Sequence, residues 1–95
     1  MNGYSRKDEN NLPKFGNHRQ ARLYFKNKHG DQFFLVDSDF IDGEKVYFYN
    51  LILNPEVYEK GMNALIHKGH YSGFDFIESY QRIEIWESGQ VHMIH

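Results

Sequence analysis

Residues 42–69 read DGEKVYFYNLILNPEVYEKGMNALIHKG, and this stretch decides the fold class. It opens with Asp42-Gly43, a dipeptide typical of two-residue hairpin turns because both residues tolerate a positive φ. The run 45–53 that follows is rich in aromatic and β-branched side chains. It predicts a strand that is apolar on both faces.

The second half of the same stretch predicts one helix, over residues 55–68. Asn54 is a good N-cap, and Pro55 suits the first helical position, where no backbone N–H is needed. Lys68 followed by Gly69 is a typical helix end. The apolar residues fall at i, i+4, i+7 and i+8, a single stripe that predicts packing on a sheet. They are Tyr58, Met62, Leu65 and Ile66.

Two runs before this stretch are interpreted as strands of the same sheet. Residues 22–26 alternate between polar and apolar side chains, and residues 32–37 follow after a turn at His29-Gly30. A two-residue loop there pairs Phe25 with Phe34 and gives two apolar and two opposite-charge pairs in one register. The sequence therefore predicts a hairpin.

Two runs after a predicted loop around Ser72-Gly73 form a second hairpin. Residues 80–87 and 90–95 are expected to pair over Ser88-Gly89, with Ile85 opposite His92. The predicted fold is then α+β, ordered β-β-β-α-β-β, with one helix packed on a mostly antiparallel five-stranded sheet.

The predicted domain organisation is simple. Residues 1–13 are polar and without periodicity, so we expect a mobile tail there. Residues 14–95 are expected to form the single α+β domain, since a chain of this length has room for one core.

The composition excludes several classes of protein. The 95 residues contain no cysteine, which excludes disulfide scaffolds, thiolate zinc sites and cysteine nucleophiles. No apolar run approaches the roughly 18–20 residues of a membrane span, and the charged start lacks the apolar segment of a secretory signal. We therefore expect a cytoplasmic protein without membrane contact.

Charge is distributed unevenly along the chain. Residues 1–30 hold seven Lys or Arg against two acids, whereas residues 31–60 hold two against seven, although the formal net charge is −2. Folding either brings the two blocks together or leaves one of them to steer a charged partner.

The predicted sheet is apolar on both faces, and one helix covers only one of them. An uncovered apolar face of several hundred Å² typically marks an interaction site, unless the sheet coils and buries both faces internally. The sequence therefore predicts a small non-enzymatic protein that acts by stoichiometric contact with another protein, as an inhibitor or adaptor. A homodimer that buries the same face is equally compatible.

The residues predicted to bind protein are aromatic anchors with a cationic rim. They are Tyr24, Phe33, Phe48, Trp86, Arg22 and Lys26. The short chain and its content of Lys, Asn, Tyr and Ile suit an accessory protein of a phage or mobile element in an AT-rich host.

The alternative function is a module for single-stranded nucleic acid. Arg22, Tyr24 and Lys26 share one face of the predicted strand, where base stacking combines with phosphate neutralisation. The pI near 6.3 argues against this function, because nucleic-acid-binding domains are typically basic. The candidate residues are Lys14, Arg19, Arg22, Tyr24, Lys26 and Lys28.

Signatures of catalysis and of metal binding are weak. His67 and His70 lie three residues apart, but zinc needs three or four ligands and Gly69 ends the predicted helix between them. The sequence contains no GxSxG motif and no phosphate-binding loop. We therefore predict no enzyme activity, no catalytic residue, no cofactor and no bound metal.

Overall fold

The computed structural model describes residues 3–69 and 75–95. The predicted loop around Ser72-Gly73 therefore lies outside the described residues. The elements are α1 (Arg6–Asn10), α2 (His18–His29), β1 (Phe33–Ile41), β2 (Glu44–Ile52), α3 (Pro55–Lys68), α4 (Asp75–Glu78), β3 (Tyr80–Trp86) and β4 (Val91–Met93), with a 3-10 turn at Gly30–Gln32.

The four strands form one antiparallel sheet in the order β1-β2-β3-β4. This confirms the α+β class and the antiparallel sheet. The described residues hold four strands and four α-helices, so the count of five strands with one helix is wrong.

The missing strand is the one predicted over residues 22–26, which lies inside α2. Asn17 caps this helix through a hydrogen bond from the Gln20 N–H to its side chain. Ala21 and Phe25, four residues apart, are both fully buried on its inner side. Five alternating residues fit either period, and the cap together with the buried pair decides for the helix.

The hairpin at Asp42-Gly43 is confirmed. Ile41 pairs with Glu44, and the two turn residues have φ of 53° and 82°. Positive φ at both positions is typical of a type I′ turn, whose twist matches that of the flanking strands. The next strand, predicted over 45–53, is β2.

The helix predicted over 55–68 is confirmed with the same bounds. The Asn54 side chain accepts a hydrogen bond from the Val57 N–H, and Gly69 ends the helix with a φ of 77°. Its predicted stripe packs on the sheet only in part. Tyr58 contacts Phe34 and Tyr80, whereas Leu65 and Ile66 are exposed.

The second hairpin forms, but one residue out of the predicted register. Ile85 pairs with Val91 instead of His92. The Trp86 N–H donates to the Gln90 carbonyl, so the loop has three residues and ends on Gly89 with a φ of 96°. A turn followed by a glycine in a left-handed conformation is the usual three-residue hairpin loop.

The hydrophobic core lies between α2 and one face of the sheet, the covered face. Two stacked rings, Phe33 and Tyr49, form its centre, with centroids 4.4 Å apart. The buried members of the core are Ala21, Phe25, Phe33, Tyr49, Leu51, Ile83, Ile85 and Met93. The described part of the chain contains no helix long and apolar enough to cross a membrane.

The N-terminal segment makes specific contacts with the sheet. Ser5 and Asp8 form a capping box that starts α1. Gln81, which is buried, accepts from the Tyr4 N–H and donates to the Tyr4 carbonyl. Local periodicity does not indicate these long-range hydrogen bonds, and the mobile tail over residues 1–13 stays a prediction.

Candidate functional site

The face of the sheet opposite α2 carries the candidate site. Helices α3 and α4 reach this face at one end, through Tyr58 and Phe76 against Tyr80. We call the remaining part the open face, formed by Asp37, Asp39, Glu44, Val46, Phe48, Glu84 and Trp86, which the register places on one side of the sheet.

Two aromatic side chains form the centre of the open face. Phe48 and Trp86 are both half-buried, whereas Val46, which pairs with Trp86, is fully buried. The side chains around Val46 therefore shield it, and the aromatic rings present their remaining surface to solvent. Half-buried Trp and Phe side chains are typical anchors of protein interfaces.

Carboxylates surround the two rings. Asp37 and Glu84 are the cross-strand partners of Phe48, and Asp39 is the partner of Val46. Arg82 lies on the same side, with its guanidinium carbon 5.9 Å from the Phe48 ring centroid and its Nε donating to Asn50. The open face is thus an aromatic centre with a mainly acidic rim.

The carboxylates of β1 and β2 and the cations of α2 lie on opposite sides of the sheet. Arg19, Arg22 and Lys26 fall at i, i+3 and i+7 of α2, on one side of that helix. Among pairs whose two members are both described, one ion pair joins a Lys or Arg to a carboxylate. It links Lys60 to Glu56 within α3. Folding therefore does not pair these cations of α2 with the carboxylates of the open face.

The six residues predicted to bind protein do not form one surface. Phe48 and Trp86 share the open face. Phe33 is fully buried in the core, because β1 presents it to α2 and not to the open face. The other three predicted residues lie on α2, behind the sheet: Tyr24, Arg22 and Lys26.

The residues predicted to bind nucleic acid are divided in a similar way. In a helix, residues two apart point to different sides, so Tyr24 does not lie between Arg22 and Lys26 as it would on a strand. Tyr24 instead contacts Phe15, and the Lys28 ammonium lies 4.7 Å from the Tyr24 ring centroid. The remaining cations are Lys14, which precedes α2, and the stripe Arg19, Arg22 and Lys26.

The Lys26 side chain makes a hydrogen bond within the fold. Its ammonium donates a hydrogen bond of 2.7 Å to the Phe33 carbonyl at the start of β1. Arg19 and Arg22 are exposed, so they are the cations of the stripe that are most accessible to a phosphate backbone.

Both edges of the sheet carry carboxylates that occupy backbone donors, a feature that sequence reasoning missed. On β1, Asp37 accepts from the Ser38 N–H and Asp39 from the Phe40 N–H. On β4, Glu9 of α1 accepts from the Met93 N–H at 2.7 Å. Occupied donors make the edges poor templates for an added strand.

A second polar cluster, also missed, lies at the covered face beside the start of α2. His18 stacks on Tyr47 with ring centroids 3.6 Å apart, and its Nε2 lies 2.7 Å from the Tyr49 hydroxyl. Tyr47 in turn donates to Glu87. Burial lowers the pKa of His18 and raises that of Tyr49, so both groups are neutral near pH 7.

The histidines predicted to be unsuited to metal binding are described only in part. His67 is exposed in the last turn of α3, and His70 lies outside the described residues. Within 3–69 and 75–95, no group of three or more His, Cys, Asp or Glu side chains could hold a metal ion.

No protein-family model matches the chain, and no curated protein or solved structure is similar to it. The function is therefore inferred from the geometry of this chain.

Proposed function

We propose that this protein binds another protein stoichiometrically through the open face, with Phe48 and Trp86 as the anchors. The observation that carries the proposal is that two half-buried aromatic side chains, Phe48 and Trp86, share one side of the sheet where the helices leave it uncovered. Burying such rings is a main source of affinity in protein interfaces.

The acidic rim indicates the chemistry of the partner. Asp37, Asp39, Glu44 and Glu84 surround the aromatic centre, and Arg82 is the cation that the register places beside them. Charge complementarity then favours a partner surface rich in Arg and Lys, and it speeds association at low salt. The partner is thus a basic protein surface rather than a second acidic face of the same chain.

The experiment places a photo-crosslinking phenylalanine analogue at position 48, and in parallel at position 40. Phe40 is a matched control, because it is 69% exposed and its register partner Lys45 lies on the opposite side of the sheet. We expect position 48 to crosslink one partner, which is then purified and mixed with the chain. Light scattering should show a 1:1 complex whose affinity falls with salt.

Alanine variants separate specific binding from adhesion. Phe48→Ala and Trp86→Ala should each weaken the purified complex at least tenfold, about 1.4 kcal/mol, whereas Phe40→Ala should not. Equal binding by all three variants would overturn the proposal. A homodimer of the chain alone that Trp86→Ala dissolves would assign the open face to self-association instead.

A second candidate function is single-stranded nucleic-acid binding on α2. The observation that favours it is the alignment of Arg19, Arg22 and Lys26 on one side of the helix, away from the carboxylates of the open face. The cationic site on α2 differs from the site predicted on a strand, because Tyr24 does not lie between Arg22 and Lys26. Phosphate contacts, rather than base stacking, would then supply the affinity.

A salt series tests this second function. Fluorescence anisotropy of a labelled oligothymidine should give a binding constant whose logarithm falls linearly with the logarithm of the salt concentration. The double variant Arg19→Ala/Arg22→Ala should reduce that slope by about 1.4, at roughly 0.7 per lost phosphate contact. The control Lys7→Ala/Lys60→Ala removes the same charge elsewhere. Equal slopes for both double variants would exclude a site on α2.

Three further attributes follow from the composition and stay predictions. They are a location in the cytoplasm, the absence of enzyme activity, and an origin as an accessory protein of a phage or mobile element. The light-scattering measurement above bears on the role as an inhibitor or adaptor, because such a role requires a defined stoichiometry.

A further inference from the structure

A cavity lined by described residues lies at the other end of the sheet from Trp86. It measures about 800 Å³, within the range of small-molecule sites, which runs from roughly 300 to 1,000 Å³. Its walls are residues 3–6 and the helix α4, and its floor is formed by the start of β3 and by Ile94 and His95, which follow β4.

Hydrogen bonds fix both walls of this cavity. On one side, Gln81 is bonded to both backbone groups of Tyr4 and donates to the Ile94 carbonyl. On the other side, the Ser79 carbonyl at the end of α4 accepts from the N–H groups of Leu53 and Asn54. The cavity is therefore preformed, so binding does not require the walls to be ordered first.

The lining combines exposed apolar side chains with cations. Ile77 and Ile94 line the cavity and are 64% and 48% exposed, so a bound apolar group would remove apolar surface from water. Arg6 and Arg82 also line it, against a single carboxylate, Glu78, among the described lining residues. Each guanidinium has five N–H donors, and Asn50 occupies the Nε of Arg82.

We propose that this cavity binds an amphipathic anion, an alkyl chain that ends in a carboxylate. The chain would lie against Ile77, Ile94 and Leu53, and the carboxylate would be held by Arg6 and Arg82. Two arginines suit a carboxylate because guanidinium and carboxylate form paired hydrogen bonds. This site meets the open face at Arg82, whose guanidinium carbon also lies 5.9 Å from the Phe48 ring centroid, but its other lining residues do not belong to that face.

The probe is decanoate, measured by isothermal titration calorimetry below its micelle concentration. Decyltrimethylammonium, with the same chain and the opposite charge, is the matched ligand. We expect decanoate to bind at least tenfold more tightly than the cation, and the backbone amides of Ile94 and Tyr80 to shift in NMR spectra. Equal affinity for the two ligands, or no binding of decanoate, would overturn the proposal.

Two pairs of variants test the residues. Arg6→Glu should weaken decanoate binding about tenfold, whereas Lys7→Glu, the neighbouring cation outside the cavity, should leave it unchanged. Ile77→Asn should weaken decanoate binding. Ile66→Asn should leave it unchanged, because Ile66 is 69% exposed on α3 and lies outside the cavity. Equal losses in the members of either pair would show that decanoate binds elsewhere.

Discussion

The covered face and the open face come from the same strands but differ in chemistry. Strand β2 supplies both, since Tyr49 and Leu51 point to α2 while Val46 and Phe48 point away. The buried core of the covered face is apolar and aromatic, with polar groups at its margins, whereas the open face places carboxylates around its rings. A face that a helix covers is filled by packing side chains, whereas an uncovered face keeps charged groups around its apolar side chains, which favours solubility.

The largest difference between the faces should appear when an aromatic ring is removed from each. Phe25→Ala empties a fully buried site that contacts Tyr4, Phe15 and Phe33, so we expect a loss of about 3–5 kcal/mol of unfolding free energy. Trp86→Ala removes a half-buried ring and should cost about 1–2 kcal/mol.

Urea denaturation followed by circular dichroism measures both losses. Fluorescence is unsuitable for this comparison, because Trp86 is the single tryptophan of the chain. A loss for Trp86→Ala as large as that for Phe25→Ala would make the open face part of the core and would remove the argument that it waits for a partner.

The end of the sheet that α3 and α4 cover depends on one glycine. A Cβ at Gly61 would lie 1.9 Å from the Phe76 ring, far inside contact distance. Gly61→Ala should therefore destabilise the protein by about 1–3 kcal/mol, although alanine favours a helix by about 1 kcal/mol. Asn63→Ala, at an exposed position of α3, gains helix propensity without the clash and should not destabilise. Thermal denaturation of the two variants decides, and a stable Gly61→Ala protein would contradict this packing.

A smaller effect on stability, but a clear one on association, is expected at the β1 edge. The Ile41–Glu44 pair closes the turn, and backbone N–H groups of an antiparallel strand point alternately toward and away from the partner strand. The N–H groups of Ser38 and Phe40 therefore point away from β2. They donate to the side chains of Asp37 and Asp39. Asp37→Ala/Asp39→Ala should change stability by less than about 1 kcal/mol but free a strand edge.

Light scattering over a range of protein concentrations measures this effect. The double variant should increase in mass with concentration, since Leu35, Val36, Phe40 and Ile41 are exposed along the same edge. Glu56→Ala/Glu59→Ala removes two carboxylates from α3 and serves as the control for charge. Association of both double variants to the same extent would show that lost charge, and not freed N–H groups, is responsible.

The parts of the fold that the sequence predicts are those with local signals. Asp42-Gly43 and Asn54-Pro55 fix a turn and a helix start within two residues each, and both are confirmed. The alternation over 22–26 is equally local but ambiguous, and the buried contacts of Ala21 and Phe25 with a distant sheet decide it. Such contacts cannot be read from five residues.

The sequence predicts the candidate site only where it predicts correctly which face of the sheet each strand residue points to. The prediction that Phe48 and Trp86 share one face is confirmed, because β2 and β3 have a regular period of two. The sequence predicts Phe33 on the same face through a hairpin with residues 22–26, but those residues are helical and the observed partner of Phe33, Leu51, lies on the covered face. The contacts of Gln81 with Tyr4 span 77 residues, so no local pattern indicates them.

The smallest expected effect is a pH dependence that arises on the covered side. The pKa of His18 is lowered from 6.5, first by burial and then by Arg22 and Lys45, while Glu87 opposes the shift. The unfolded chain therefore takes up this proton at a higher pH than the folded chain, so stability should fall as pH decreases from 7.5 to 5.5. His18→Gln should reduce that fall, whereas His92→Gln, exposed on the other side of the sheet, should not. Urea denaturation at the two pH values measures it, and an identical fall in all three proteins would show that His18 contributes nothing to it.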